Sequence, residues 1–167
     1  LRQAVANSCN TAFITGRGKI EGTGLYDAAA SLGFGIDHDL GFPAYFGQVP
    51  QPETETEAAA ALIGQGRVLA SPMVMATVVA SVQAGETVVP WLVKGYREAP
   101  PEGAKPLTGA EASALRSMLR AVVTDGSGRV LLDVPGPELI AKTGTAEFER
   151  DGKVLTHAWM VAAGSDL

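Results

Sequence analysis

The sequence has few of the residues that build disulfides or metal sites. It contains one cysteine, Cys9, so no disulfide can form within the chain. We interpret Cys9 as a small buried apolar residue, because no neighbouring basic residue would activate its thiol. The two histidines, His38 and His157, have no partner at His-x-x-x-His or Cys-x-x-Cys spacing, and a zinc site is therefore not predicted.

Long hydrophobic runs and a basic surface are also missing. The longest apolar stretch, at about residues 72–84, is too short to span a bilayer. The net charge of −5 argues against a nucleic-acid partner. With 167 residues, 46% of them hydrophobic, the chain has enough material for one domain or for half of a larger one. It begins without an initiator Met, and we interpret it as a piece of a longer protein.

Start and stop signals predict four helices. Ser71 can cap free N–H groups and Pro72 fits the first helical position, so a helix is expected to follow them. Thr108 and Glu111 match a capping box that opens another helix, ending near Asp125. The other two predicted helices cover residues 1–7, which lead to Ser8, and residues 25–32.

The segments between these helices carry weaker patterns. Residues 11–24 and 33–56 show no sustained periodicity, and we predict loops there. The alternating Glu and Thr residues at 53–57 are interpreted as a solvated face. Residues 87–96 are predicted to form a strand, which Pro90 would confine to a sheet edge or a break.

The last third of the chain predicts a β-hairpin. Residues 139–148 and 154–163 are rich in β-formers, and Asp151-Gly152 between them is typical of a two-residue turn. That turn would place Arg150 opposite Lys153 and Thr145 opposite Ala158. Helices followed by a hairpin indicate an α+β fold, in which helices pack on an antiparallel sheet.

Two short motifs point to chemistry. Ser8-Cys9-Asn10 fits Ser-x-Asn, and Lys142-Thr143-Gly144 fits Lys-Thr-Gly on an apolar strand. Either tripeptide alone occurs often by chance. Together, in this order and with their flanks, they resemble motifs of the penicillin-recognising serine acyl-transferases. Residues 64–76 and 157–161 are similar to further segments of penicillin-binding protein transpeptidases, and the resemblance favours the membrane-anchored, class B-like branch.

The resemblance implies catalytic roles for three residues. Ser8 would relay a proton to the departing nitrogen, and Asn10 would hold the substrate amide or a neighbouring lysine. Lys142 would attract the substrate carboxylate and keep Ser8 poised for transfer. His157 and Glu147 are interpreted as strand residues beside the cleft rather than as bases.

Substrate binding would fall to the residues after Lys142. Thr143 and Thr145 would offer hydroxyls to the carboxylate, Gly144 would leave room for a peptide along the strand, and the Thr145 N–H would form half of an oxyanion hole. Strict alternation places Lys142 and Gly144 on one face and the two threonines on the other. We therefore expect an edge strand that is twisted or bulged at this point.

The third motif of these enzymes, Ser-x-x-Lys, is missing. Ser113 followed by Arg116 comes nearest, and arginine cannot act as a base because it stays protonated. We interpret residues 1–167 as the C-terminal part of a transpeptidase domain that lacks the nucleophile segment, so the fold would be a partial domain of the penicillin-binding protein/β-lactamase type.

The resemblance implies a function for the full-length protein. It would be a D,D-transpeptidase that cross-links peptidoglycan stem peptides by serine acyl transfer and is acylated by β-lactams, without a cofactor. It would lie at the cell membrane, with the catalytic domain on the extracytoplasmic side and the anchor outside this chain, and cell-wall synthesis proteins would be its partners. A β-lactam sensor, a β-lactamase and a non-catalytic scaffold remain alternatives.

Overall fold

Helices pack on a two-stranded antiparallel sheet in the computed structural model, which describes residues 1–37, 39–96, 99 and 105–165. This confirms the expected fold class. Short 3₁₀ turns lie at Arg17–Lys19 and Arg129–Asp133. The elements in chain order are α1 (Arg2–Ala6), α2 (Asn10–Thr15), α3 (Gly24–Ala30), α4 (Glu55–Ala61), α5 (Pro72–Ala84), α6 (Gly109–Thr124), β1 (Ile140–Arg150) and β2 (Lys153–Ala163).

The two longest helices begin at the predicted caps. Ser71 accepts a hydrogen bond from the Val74 N–H at the start of α5, and Gly85 ends this helix in the left-handed region. At the start of α6, the Glu111 N–H donates to the Thr108 hydroxyl while the Thr108 N–H donates to the Glu111 carboxylate. None of the helices in the described ranges is long and apolar enough to cross a membrane.

The hairpin has the predicted turn and register. Asp151 and Gly152 both have positive φ, 53° and 70°, as a type I′ turn requires. Arg150 pairs with Lys153 and Thr145 pairs with Ala158, and every residue of β1 has a successive partner on β2. Because the register is unbroken, the bulge expected near Gly144 is absent from β1.

Helix α6 joins the two parts of the chain that carry the motifs. It packs against α1, which leads to Ser8, and against β1, which contains Lys142. Ala121, Val122 and Val123 near its C-terminal end are fully buried. Helix α5 covers another part of the sheet, where Val79 and Val82 form a core cluster with the sheet residues Ile140 and Ala163.

Two helices extend into segments where the sequence predicted loops. Residues 10–15 form α2 within the segment expected to be irregular. Helix α4 begins inside the Glu/Thr run, where the Thr54 hydroxyl accepts from the Glu57 N–H. Arg67 contacts the carboxylates of Glu53 and Glu57, so this run begins a helix and forms ion pairs as well as facing solvent.

The strand predicted at residues 87–96 is not formed. The Thr87 hydroxyl donates to the Ser31 carbonyl at 2.8 Å, and the Val88 N–H donates to the Ser81 hydroxyl at 2.9 Å. The Thr87 hydroxyl and the Val88 N–H therefore find their hydrogen-bond acceptors at the end of α3 and in α5, and not on a neighbouring strand. β-propensity alone was a misleading signal here.

Gly126, just after α6, should tolerate no side chain. A Cβ at this position would lie 2.0 Å from the Ala6 carbonyl oxygen. We expect Gly126→Ala to lower the free energy of unfolding by about 2–3 kcal/mol, measured by urea denaturation, because α1 and α6 must separate. Gly109→Ala is the matched control, since a Cβ there meets no atom of the described residues within 4 Å. Equal stability of the two variants would contradict the prediction.

Candidate active site

Ser8 terminates α1 in a conformation that glycine usually adopts. Its φ is +52°, the Ser8 N–H donates to the Val5 carbonyl at 3.2 Å, and the Cys9 N–H donates to the Ala4 carbonyl at 2.9 Å. This pair of bonds is a Schellman motif with Ser8 at the left-handed position. The backbone strain for a residue with a Cβ is about 1–2 kcal/mol, and strain of this kind is concentrated at functional sites.

The rest of the Ser-x-Asn motif begins α2. Cys9 is the N-cap, with an extended backbone, and Asn10 is the first helical residue. Cys9 is exposed, which corrects the expectation that it is buried: a residue at the junction of two short helices has no core to enter. The Asn10 side chain is also exposed and makes no hydrogen bond within the described ranges.

Lys142 on β1 reaches the Ser8 hydroxyl. Its Nζ donates to Ser8 Oγ and also to the Thr143 carbonyl at 2.6 Å. The lysine is half-buried, and this burial lowers the pKa of its ammonium group from the ordinary lysine value. Two segments remote in the sequence therefore meet, as the motif interpretation requires. The long lysine side chain bends back to the strand edge, and no bulge is needed.

The edge of β1 that does not face β2 is lined by the odd-numbered residues. In a two-residue hairpin, the pair next to the turn exchanges hydrogen bonds, so the odd residues of β1 point their N–H and C=O groups away from β2. The bond from Lys142 to the Thr143 carbonyl agrees with this direction. The Thr145 N–H therefore points outward, where an oxyanion donor would have to lie.

Gly144 has no structural need to be glycine within this chain. Its φ is not positive, and among the described residues an added Cβ would contact only the Trp159 Cβ, at an ordinary 3.7 Å. Gly144 and Thr145 are both exposed. The missing side chain therefore leaves open space along the strand, in agreement with the predicted role of Gly144.

Ser127 is a site residue that the sequence reasoning missed. Its hydroxyl lies 2.5 Å from the Thr143 hydroxyl, and its N–H donates to the Ala6 carbonyl at 3.2 Å. The turn after α6 thus contacts both the helix before Ser8 and the Lys-Thr-Gly segment. The available signal is the Gly126-Ser127-Gly128 run, which directly follows the helix end predicted near Asp125.

The predicted site residues fall into two sets: three that are connected by contacts, and three that are exposed to solvent. Ser8, Lys142 and Thr143 are linked by the contacts described above. Asn10, Gly144 and Thr145 are exposed beside them. Their individual roles in catalysis and binding stay predictions.

The other candidates have structural partners. The His157 ring lies against Phe148, with centroids 4.3 Å apart, and the Glu147 N–H donates to Gln65. Within the described ranges, no cluster of three or more metal-ligating side chains is present.

The geometry defines the class of site. A serine hydroxyl in contact with a lysine ammonium can pass a proton, and an outward N–H on a strand edge can stabilise an oxyanion. Both properties are ones that acyl transfer requires of its site. The chain belongs to the penicillin binding protein transpeptidase domain family, whose sequence model matches residues 1–165.

Solved structures of similar chains support the fold. A chain of a peptidoglycan synthase complex that coordinates polymerization and crosslinking is 29% identical, with a TM-score of 0.76, and the match covers 98% of this chain and 30% of that one. Penicillin-binding protein A from Mycobacterium tuberculosis, as a ceftriaxone acyl-enzyme, is 23% identical, with a TM-score of 0.82 and coverages of 97% and 39%.

A third similar structure is the D,D-transpeptidase domain of a peptidoglycan glycosyltransferase from Eggerthella lenta. It is 24% identical, with a TM-score of 0.80, and the match covers 99% of this chain and 45% of that one. The chain thus spans less than half the length of each of these three solved chains. No curated protein sequence matches it.

Ser8→Gly should give a more stable chain than Ser8→Ala. Both changes remove the hydroxyl, but only glycine relieves the strain of a φ of +52°. We expect a difference in unfolding free energy of about 1 kcal/mol, measured by urea denaturation, since the greater freedom of glycine in the unfolded chain offsets part of the gain. An alanine variant that is as stable as the glycine variant would show that the backbone at Ser8 is not strained.

Lys142 should lose its proton at a lower pH than an ordinary lysine. Burial disfavours the charged ammonium, so between the folded and unfolded pKa values the folded chain binds fewer protons, and stability rises with pH in that window. An NMR titration of the Lys142 side chain should give a midpoint below the ordinary value of about 10.4. A midpoint at or above that value would contradict the prediction.

Proposed function

We propose that this chain is the C-terminal part of a D,D-transpeptidase that cross-links peptidoglycan stem peptides. The contact between Lys142 Nζ and Ser8 Oγ at the edge of β1 is the observation that carries the proposal. Membership of the transpeptidase domain family supports it. The nucleophile would come from a Ser-x-x-Lys segment outside these 167 residues, because the sequence contains none.

In the proposed reaction, the nucleophilic serine attacks the carbonyl carbon of the scissile D-Ala-D-Ala bond. As the C–O bond forms, the lysine of the Ser-x-x-Lys segment takes the hydroxyl proton of the attacking serine. The C–N bond then breaks, and the departing amine takes a proton from the Ser8 hydroxyl. Lys142, whose Nζ contacts Ser8 Oγ, restores that proton and is reprotonated by the lysine of the Ser-x-x-Lys segment. A second amine then attacks the ester, its surplus proton passes to the freed serine, and the cross-link forms. This chemistry needs no cofactor.

Substrate orientation follows from the strand edge. The ammonium of Lys142 would attract the terminal carboxylate of the peptide, and the hydroxyls of Thr143 and Thr145 would bind it. The peptide would lie along the open edge of β1, with its acyl carbonyl toward the outward N–H of Thr145. Asn10, exposed at the start of α2, would hold the peptide amide or the lysine of the Ser-x-x-Lys segment.

The same site would be acylated by β-lactams, which carry a reactive amide and a carboxylate. The similar protein from M. tuberculosis was solved as a ceftriaxone acyl-enzyme, which supports this part of the proposal. We place the domain on the extracytoplasmic side of the cell membrane, anchored by a segment outside this chain, because its substrate lies there. Cell-wall synthesis proteins are the proposed partners, since one similar chain belongs to a synthase complex.

Fluorescent penicillin should label the full-length parent covalently and be released slowly. Lys142→Ala should lower the acylation rate about 100-fold or more, because it removes the charge that contacts Ser8. Lys19→Ala is the matched control, since Lys19 is exposed in the 3₁₀ turn before α3, and it should acylate at the parent rate.

Other outcomes would separate the alternatives. Rapid release of the label with turnover would indicate a β-lactamase. An intact parent that is not labelled would indicate a non-catalytic scaffold. Stable labelling without cross-linking of stem peptides would indicate a β-lactam sensor. Unchanged acylation of the Lys142→Ala variant would overturn the role of this lysine.

A further inference from the structure

Gln65 is held next to the open edge of β1 by the end of α4. The Gly64 N–H donates to the Ala61 carbonyl at 3.0 Å, and the Gln65 N–H donates to the Ala60 carbonyl at 2.9 Å. This is a Schellman motif, with Gly64 at the left-handed position and a φ of +70°. The backbone of Gln65 is therefore fixed by the helix, and its side chain leaves from a defined point.

The Gln65 side chain bonds to two successive outward groups of β1. Its Nε2 donates to the Thr145 carbonyl at 2.9 Å, and its Oε1 accepts from the Glu147 N–H at 3.3 Å. One primary amide thus replaces a neighbouring strand at these two positions. Gln65 itself is half-buried, and both bonds lie at the exposed edge of the strand.

The outward N–H of Thr145 lies between two occupied carbonyls. On one side, the Thr143 carbonyl accepts from Lys142 Nζ, and on the other, the Thr145 carbonyl accepts from Gln65. Both bonds hold the edge in its extended geometry. The orientation of the Thr145 N–H is therefore fixed. It points toward the position where negative charge would develop on the oxygen of the substrate carbonyl.

We propose that Gln65 is a positioning residue for the acyl-transfer step. It orients the Thr145 N–H as an oxyanion donor, and it occupies the hydrogen-bonding groups of the strand edge beyond that N–H. A bound peptide would pair with the edge only as far as the Thr145 N–H, because the Thr145 carbonyl and the Glu147 N–H are already bonded to Gln65. This inference rests on the proposed function. It explains the Gly-Gln-Gly turn, to which the proposed reaction assigns no role.

The test uses the full-length parent that carries these residues and its Ser-x-x-Lys nucleophile. Gln65→Met keeps the length of the side chain and removes the amide, while Gln65→Glu keeps the acceptor and loses the donor to Thr145. Stopped-flow acylation by a fluorescent penicillin separates the dissociation constant of the initial complex from the maximal acylation rate. Gln51→Met, at an exposed position outside the sheet, is the matched control.

Both Gln65 variants should lose about 10- to 100-fold in the maximal acylation rate, with the dissociation constant unchanged, because a misplaced donor affects the chemical step. Hydrogen exchange at the Glu147 amide should become faster in the Met variant. The Gln51 variant should match the parent.

Three results would distinguish failure of the inference from failure of the proposed function. A parent that is not acylated would defeat the proposed function itself. An acylated parent whose Gln65 variants react at the parental rate would overturn the inference alone. A loss confined to the dissociation constant would likewise overturn it, since Gln65 would then contribute to binding and not to the position of the donor.

Discussion

The close approach between α1 and the turn after α6 determines where the site can form. Gly126 lies against the Ala6 carbonyl, and the next residue, Ser127, donates its N–H to that same oxygen. Two residues beyond Ala6 the chain reaches Ser8, while the Ser127 hydroxyl contacts Thr143 on β1. This turn therefore links the two motifs. Together with the packing of α6 against both α1 and β1, it holds the serine within reach of the lysine.

The electrostatics of Lys142 follow from its surroundings. Within the described ranges its ammonium group forms no ion pair, and its two acceptors, Ser8 Oγ and the Thr143 carbonyl, are neutral. Neutral acceptors stabilise a partly desolvated ammonium group less well than a carboxylate would. Burial is therefore the dominant influence on the pKa of Lys142, which it lowers. A lysine that is closer to losing its proton is suited to exchange one with a neighbouring hydroxyl.

Local signals in the sequence were sufficient to predict the helices and the hairpin whose caps or turns contain characteristic residues. Ser71-Pro72, the Thr108–Glu111 capping box and Asp151-Gly152 each specify a backbone geometry through a hydrogen bond or a positive φ, and those elements were predicted correctly. The hairpin register followed from the turn alone, which placed Thr145 opposite Ala158. Recognition of the two motifs then indicated which side chains should meet.

The failures arose where tertiary contacts decide the structure. Residues 87–96 have strand-forming side chains, but Thr87 and Val88 bond to Ser31 and Ser81, which no local pattern reveals. The contacts of Ser127 with Thr143 and of Gln65 with Thr145 join residues 16 and 80 positions apart. The expected bulge was unnecessary because a flexible lysine side chain can reach around a regular strand.

Exposure of Cys9 has a practical consequence. It is the only thiol in these 167 residues, and it lies between Ser8 and Asn10 at the junction of α1 and α2. A small alkylating reagent would therefore modify the segment at one known place. A molecule bound against Ser8 would crowd the neighbouring sulfur, so a slower rate of alkylation would report occupancy.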